Sequence, residues 1–228
     1  MTEETAEYMA SKKLKKQKID YSLYLVTDRS FCPPDKFLHQ IEQAVLGGVS
    51  IVQLREKDAS SLEFYNRAVE VSNLLKNMCS VSGLKIPFLI NDRLDIALAV
   101  DCDGLHIGQE DLPVSVCRRL LGPDKILGVS AGSVEEAVLA EKEGADYLGV
   151  VAFSTGTKPE AVEVSLEMFK EIREAVSIPI VAIGGINLET ISLLSGLRID
   201  GVAVVSAIMG SEDAKEAAEK LSNLIESF

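Results

Sequence analysis

Three groups of residues in this 228-residue chain carry types suited to handling a charged small molecule. Arg55, Lys57 and Lys158 are cations placed just after short apolar runs. Asp92 and Asp111 are hard oxygen donors, and a carboxylate pair completed by phosphate oxygens is a common way to hold Mg²⁺. Gly184-Gly185 and Ser206 combine backbone that can approach an anion closely with a hydroxyl donor. Together the types point to a polyanion carried with a divalent cation. Only a local device can hold such a ligand here. The chain has 23 Lys and Arg against 35 Asp and Glu, a formal net charge of −12, and its overall field repels anions. The same acidity argues against nucleic acid or an anionic membrane surface as a partner.

Each feature also has a simpler reading. Arg55-Glu56-Lys57 alone could be a solvated loop. Asp92 could cap the helix that follows it. Asp111 precedes Leu112-Pro113 and could do the same, with proline in the first turn. His106 could be a satisfied core histidine. Thr155-Gly156-Thr157-Lys158 lacks the Gly-Lys-Ser/Thr order of a nucleoside-triphosphate loop, so that function is set aside. His39 and His106 are the only two histidines, too few to support a hydrolytic triad with any conviction.

The elements that must position these residues favour the functional reading. Apolar runs at 23–27, 50–54, 86–90, 104–107, 126–130, 147–151, 178–183 and 201–205 are mostly rich in β-branched residues without strict alternation. That is the pattern of strands buried on both faces. Amphipathic stretches separate them, including 36–46, 62–78, 134–143, 166–176 and 214–227, with Gly47-Gly48 and Gly144 closing two of them. Strand–helix alternation implies parallel strands with right-handed crossovers. Eight such units predict a (β/α)8 TIM barrel, a single α/β domain, in preference to an open doubly wound sheet. Residues 1–20 are expected to be an N-terminal polar helix or tail, and residues 21–228 the barrel.

Barrel enzymes place their chemistry at the C-terminal ends of the strands. In this chain those ends read Thr27-Asp28-Arg29, Gln53-Leu54-Arg55-Glu56-Lys57, Asn91-Asp92-Arg93, His106 through Asp111, Ser130, Ser154 through Lys158, Gly184-Gly185 and Ser206. All eight are polar or glycine-rich, which no single bland reading explains. The coincidence predicts a pyrophosphate site with Mg²⁺ beside a site for a monophosphate.

Cys32, Cys79, Cys102 and Cys117 contain no CxxC pair, and with two histidines a zinc site is not expected. They read as free thiols in a reducing cytoplasm. No apolar run reaches the ~18 residues of a membrane-spanning helix, and the charged N-terminal stretch does not have the form of a secretory signal.

The segments Tyr24-Leu25-Val26-Thr27-Asp28, Gln53-Leu54-Arg55-Glu56-Lys57, Asn91-Asp92-Arg93, Gly108-Gln109-Glu110-Asp111-Leu112-Pro113, Gly128-Val129-Ser130 and Ile183-Gly184-Gly185-Ile186-Asn187 resemble the thiamine phosphate synthase family in order and spacing. The likeness spans roughly residues 21–210. It implies a transferase that joins an aminopyrimidine methyl pyrophosphate to a thiazole phosphate, giving thiamine phosphate and pyrophosphate. It further implies that Arg55, Lys57, Asn91 and Lys158 hold the pyrophosphate and that Asp92 and Asp111 bind Mg²⁺. Gln53, His106 and Ser130 would face the pyrimidine. Thr155, Thr157, Gly184, Gly185, Val205 and Ser206 would surround the thiazole phosphate. The expected partners are these two small molecules, with no nucleic acid and no membrane; assembly into a homo-oligomer is left open.

One segment departs from the family pattern. Gly149-Val150-Val151-Ala152-Phe153-Ser154 lacks the family's second glycine and is one residue short. Valine tolerates positive φ poorly, so the loop carrying Thr155 to Lys158 is expected to be displaced. Two rival functions are weighed: a related thiazole tautomerase, which would need no pyrophosphate site and against which Arg55, Lys57, Asp92 and Asp111 argue, and a catalytically weak ligand-binding or regulatory barrel, which this departure alone supports.

Overall fold

Eight short parallel strands close on themselves in chain order in the computed structural model, which describes residues 19–153 and 164–226. They are β1 (Leu23–Val26), β2 (Ile51–Leu54), β3 (Phe88–Asn91), β4 (Gly104–Ile107), β5 (Ile126–Ser130), β6 (Tyr147–Val151), β7 (Ile180–Ile183) and β8 (Gly201–Val204). β1 pairs with both β2 and β8, so the (β/α)8 barrel is the fold and the open sheet is excluded.

Alternation along each strand sorts side chains into two cores. Tyr24, Val26, Ile51, Leu89, Ile126, Tyr147, Val181 and Ala203 form one buried cluster inside the barrel. Their strand neighbours, such as Leu25, Val52, Leu54, Ile90, Leu105 and Leu148, belong to a second cluster shared with the helices. Both faces are dry, which is why the sequence shows apolar runs rather than polar alternation. Each fully buried Leu, Ile or Phe contributes about 1.5–3 kcal/mol relative to exposure. Tyr21 closes the floor of the interior, with Ile19 packed against the same cluster. Of the N-terminal extension, residues 1–18 lie outside the described residues.

The crossover helices are α1 (Phe37–Leu46), α2 (Ser61–Ser82), α3 (Leu94–Ala99), α4 (Val114–Leu121), α5 (Val134–Glu143) and α6 (Leu166–Ala175), and α7 (Ser206–Met209) and α8 (Ala214–Ile225) follow β8. Buried Phe37 and Ile41 of α1, Phe64 and Ala68 of α2, and Phe169 and Ile172 of α6 cover the outer face. Side-chain caps fix several starts: Ser60 and Glu63 form a reciprocal capping box on α2, and Ser133, Ser165 and Asp213 cap α5, α6 and α8. Each such cap stabilises its helix by about 1 kcal/mol.

Some boundaries shift for physical reasons. β3 and β7 start two residues after the beginnings of their apolar runs, behind Pro87 and Pro179. A proline carbonyl can join the ladder, and both do, accepting from Val52 and Leu148, but neither residue can donate. The β7–β8 connection carries a 3₁₀ turn, Ile191–Leu194, in place of an α-helix. Its two buried residues, Ile191 and Leu194, are three apart, matching three residues per turn. Among the described residues, no helix is long and apolar enough to cross a membrane. All four cysteines are free.

Candidate active site at the barrel mouth

The inward alternation that builds the interior continues past the strand ends. Tyr24 and Val26 lead to Asp28, Ile51 and Gln53 lead to Arg55, and Leu89 leads to Asn91. His106 lies beside Gly128 in the register, and Ser130 beside Gly149. Because all strands are parallel, Arg55, Lys57, Asp92, Asp111, Gly184, Gly185, Val205 and Ser206 follow strand ends on one rim.

Arg55 is anchored rather than solvated. Its guanidinium donates to Asp28 Oδ2 at 3.1 Å, with side chains only 14% and 18% exposed. Its backbone N–H donates to the buried Thr27 hydroxyl at 3.2 Å. Burial opposes ionisation of Asp28. Two hydrogen bonds from Ser30 and the charges of Arg55 and Lys57 outweigh it and hold the carboxyl below its usual range. Glu56, 4% exposed, accepts from Arg29 at 3.0 Å and Arg67 at 2.8 Å. The solvated-loop reading is therefore corrected for Arg55 and Glu56: these consecutive residues enter two separate ion-pair systems, each with a largely shielded partner. Lys57 itself is exposed. A cleft of about 350 Å³ is lined by Asp28, Arg29, Arg55, Glu56 and Lys57 with their neighbours.

Neither carboxylate is the N-cap residue of the helix that follows it. The residue preceding α3 is Arg93, and the one preceding α4 is Pro113, both without a side-chain capping bond. Asp92 instead adopts a left-handed backbone, φ 62°, and its N–H donates to the His106 carbonyl at 2.8 Å. A non-glycine residue held there is locally strained, a feature that concentrates at functional sites. Asp111 Oδ2 accepts from the Gly108 N–H at 2.7 Å, folding the β4 loop back on itself. β3 and β4 are neighbours, with Asn91 opposite His106. Two carboxylates and an amide on adjacent strand ends are hard oxygen donors, a chemistry that fits Mg²⁺. Among the described residues no three His, Cys, Asp or Glu side chains converge as a metal site.

A hydrogen-bonded chain crosses the interior beneath the mouth. Gln53 Nε2 donates to Tyr24 Oη at 2.7 Å, Tyr24 Oη meets Tyr147 Oη at 2.9 Å, and Tyr147 Oη meets His106 Nδ1 at 2.8 Å. His106 Nε2 then meets Ser130 Oγ at 3.0 Å. Burial pushes both tyrosine pKa values up, so both stay phenolic. Two glycines make the room. A Cβ on Gly128 would lie 2.1 Å from Tyr147 Cζ, and one on Gly149 would lie 3.0 Å from His106 Cε1. His106 is thus satisfied, as the simpler reading held, but it sits half-buried at the site rather than in the core.

At β7, Gly184 and Gly185 both have positive φ, 94° and 59°, which lets the chain turn sharply at the rim. The turn is braced by Thr190, whose hydroxyl donates to the Gly185 carbonyl at 2.9 Å. Val205 and Ser206 lie at the start of α7. Ser154, Thr155, Gly156, Thr157 and Lys158 lie outside the described residues, and so does the expected loop displacement. On the described side of that departure, β6 runs regularly to Val151, neither valine has positive φ, and the Val151 carbonyl accepts from Val164 at 2.9 Å.

Sequence reasoning gave no role to Asp28, Tyr24 or Tyr147. Asp28 was visible as a strand-end polar residue, and inward alternation with Arg55 is the signal that pairs them. The tyrosines look like ordinary core residues of their apolar runs.

The family model described as thiamine monophosphate synthase matches residues 23–208. The chain is 53% identical over 209 residues to a thiamine-phosphate synthase of Clostridium beijerinckii, covering 91% of this chain and 97% of that protein. It is 50% identical over 218 residues to a protein of the same name from Clostridium botulinum, covering 92% and 100%. Among solved structures, a thiamine phosphate pyrophosphorylase from Pyrococcus furiosus superposes with a TM-score of 0.81 at 38% identity, covering 92% of this chain and 98% of that one.

Proposed function

The chain belongs to the thiamine monophosphate synthase family, and from that premise we propose that it joins an aminopyrimidine methyl pyrophosphate to a thiazole phosphate. The methylene C–O bond breaks with its electron pair leaving on pyrophosphate. The thiazole ring nitrogen supplies the pair for the new C–N bond, giving thiamine phosphate. The observation that carries this reading is the meeting, on one rim, of a braced guanidinium at Arg55, two carboxylates at Asp92 and Asp111, and the glycine turn at Gly184-Gly185.

The difficult step is departure of a multiply charged anion. Arg55 and Lys57, with Asn91 and Lys158, hold the pyrophosphate and neutralise charge as it grows, which is electrostatic catalysis. Arg55 enters the site already oriented by Asp28, so little reorganisation accompanies the step. Asp92 and Asp111 would hold Mg²⁺, whose charge offsets that of the leaving group when bound. The aminopyrimidine can delocalise a methylene cation, so a dissociative path requires no protein nucleophile. Gln53, His106 and Ser130 orient the pyrimidine, while Gly185 and Ser206, with Thr155 and Thr157, hold the thiazole phosphate so that its nitrogen lies in line. The four free thiols fit a reducing cytoplasm.

Incubation of the protein with both substrates and Mg²⁺ should yield thiamine phosphate and pyrophosphate in equal amounts, and nothing when either substrate is left out. Folded protein that binds the substrates without product formation would identify the weak ligand-binding barrel instead, and isomerisation of the thiazole alone would identify the tautomerase.

A further inference from the structure

We infer that Tyr24 and Tyr147 are positioning residues that carry a fixed hydrogen-bond direction from Gln53 to Ser130, holding His106 as the Nε2–H tautomer and presenting the Ser130 hydroxyl as a donor to the substrate. This rests on the transferase reading of the site for its last link, and on the protein alone for the rest.

The direction follows from counting hydrogens. Each tyrosine hydroxyl has one. Tyr24 accepts from Gln53 Nε2 at 2.7 Å, which leaves its own hydrogen for Tyr147 at 2.9 Å. Tyr147, having accepted, donates to His106 Nδ1 at 2.8 Å. A histidine nitrogen that accepts carries no proton, so the neutral ring holds its proton on Nε2. Nε2–H then donates to Ser130 Oγ at 3.0 Å. Ser130 has accepted in turn, and its hydrogen is turned to a partner beyond the ring. The matching group on an aminopyrimidine is a ring nitrogen, an acceptor in an aromatic plane. Reversing the Tyr24–Tyr147 link would leave Tyr24 accepting twice, and reversing the Tyr147–His106 link would leave Tyr147 accepting twice, each with its own hydrogen aimed at neither partner in a fully buried site where an unmade hydrogen bond is costly.

The surrounding sequence is shaped for this chain. Gly128 and Gly149 are the residues whose Cβ atoms would strike Tyr147 and His106. The ring of Tyr147 is also packed by Tyr21, Tyr24 and His106, with centroids 5.0, 5.9 and 5.5 Å away, which restricts its rotation. Four residues from four strands, β1, β2, β4 and β6, are thereby locked to a fifth, Ser130 on β5.

Nitrogen-15 NMR of the histidine rings at mildly alkaline pH tests the inference without substrate. The chain has only two histidines, and His39, 62% exposed in its side chain, serves as an internal reference. The expected wild-type spectrum shows His106 as Nε2–H. Gln53→Glu places an acceptor where the amide donates, so Tyr24 turns toward it and every link reverses; His106 should become Nδ1–H. Tyr147→Phe keeps the ring but removes the link; it should yield mixed tautomers and lower kcat about tenfold, the cost of one misdirected buried hydrogen bond. Tyr24→Phe should act in the same direction. A wild-type Nδ1–H ring overturns the inference even if no variant folds. So does a folded Tyr147→Phe protein with an unchanged tautomer and unchanged kcat. The transferase reading fails separately, if wild-type protein with the expected tautomer makes no thiamine phosphate.

Discussion

Replacing Asp28 with Asn tests whether its carboxylate sets the rate through Arg55. The guanidinium–carboxylate contact is 3.1 Å and mostly shielded from water. At an effective dielectric of about 20 the bare attraction is about 5 kcal/mol. Desolvation and partial exposure reduce the net worth of such a charged hydrogen bond to about 1.5–3 kcal/mol. Asn keeps an oxygen that can still accept from Arg55 but loses the charge, so about 1–2 kcal/mol of orienting energy goes. If that energy is what holds Arg55 for the departing pyrophosphate, kcat/KM falls about 5- to 30-fold. The fall should lie mainly in kcat, because the leaving group is most charged in the transition state. Steady-state formation of thiamine phosphate, with the melting temperature measured alongside, is the assay. The opposite outcome is physically coherent and would refute the reasoning: if Asp28 competes with pyrophosphate for the guanidinium, removing its charge raises kcat/KM.

The same residue sets a pH dependence. The Asp28 carboxyl is held below its usual value near 3.8, so its stabilisation is present above that value and is lost as pH falls through the lowered one. Wild-type unfolding followed below about pH 4 should therefore show an acid-dependent loss that Asp28→Asn lacks, and parallel curves would contradict the shift. Gly128→Ala puts a methyl 2.1 Å from Tyr147 Cζ, and ring and strand are both packed; calorimetry should show about 1–3 kcal/mol of destabilisation, and an unchanged melting temperature would mean the ring is free to move. Asp92→Ala and Asp111→Ala should both abolish most turnover, as should a chelator. Because Asp111 also holds the Gly108 amide at 2.7 Å, only Asp111→Ala should also loosen that amide, seen as faster hydrogen exchange. Full turnover in chelator would remove Mg²⁺ from the mechanism.

The barrel was legible because dryness on both faces leaves a plain mark, β-branched runs without polar alternation. The rim residues were legible because a strand-end filter needs only the runs. What stayed hidden depends on register. Tyr24 and Tyr147 are 123 residues apart in sequence, and only pairing around the closed sheet brings their hydroxyls together. Asp28 and Arg55 pair because Val26 lies opposite Gln53, which no spacing in the chain reveals. Asp92 reads as a helix cap in one dimension; its left-handed backbone becomes visible only where the chain must turn from β3 while bonding to β4.

Strand β6 shows how one glycine can carry both packing and chemistry. Tyr147 and Gly149 are both inward residues, and the register sets Gly149 beside Ser130. β6 continues to Val151 with both valines in ordinary strand backbone. The glycine within β6, Gly149, is the one against His106. Alanine at 149 would bring Cβ to 3.0 Å from Cε1 and 3.4 Å from Nε2 of His106. The imidazole, half-buried, can yield by a few tenths of an ångström, so the expected stability loss is under about 1 kcal/mol. The yielding movement lengthens the 3.0 Å contact to Ser130, a link between the buried chain and the rim. If Ser130 faces the pyrimidine as proposed, loss of its alignment should lower kcat about tenfold while the fold stays intact. Gly149→Ala should thus separate rate from stability, where Gly128→Ala, pressed on a ring that cannot yield, should lower both. If Gly149→Ala leaves kcat untouched, His106 does not act through its contact with Ser130.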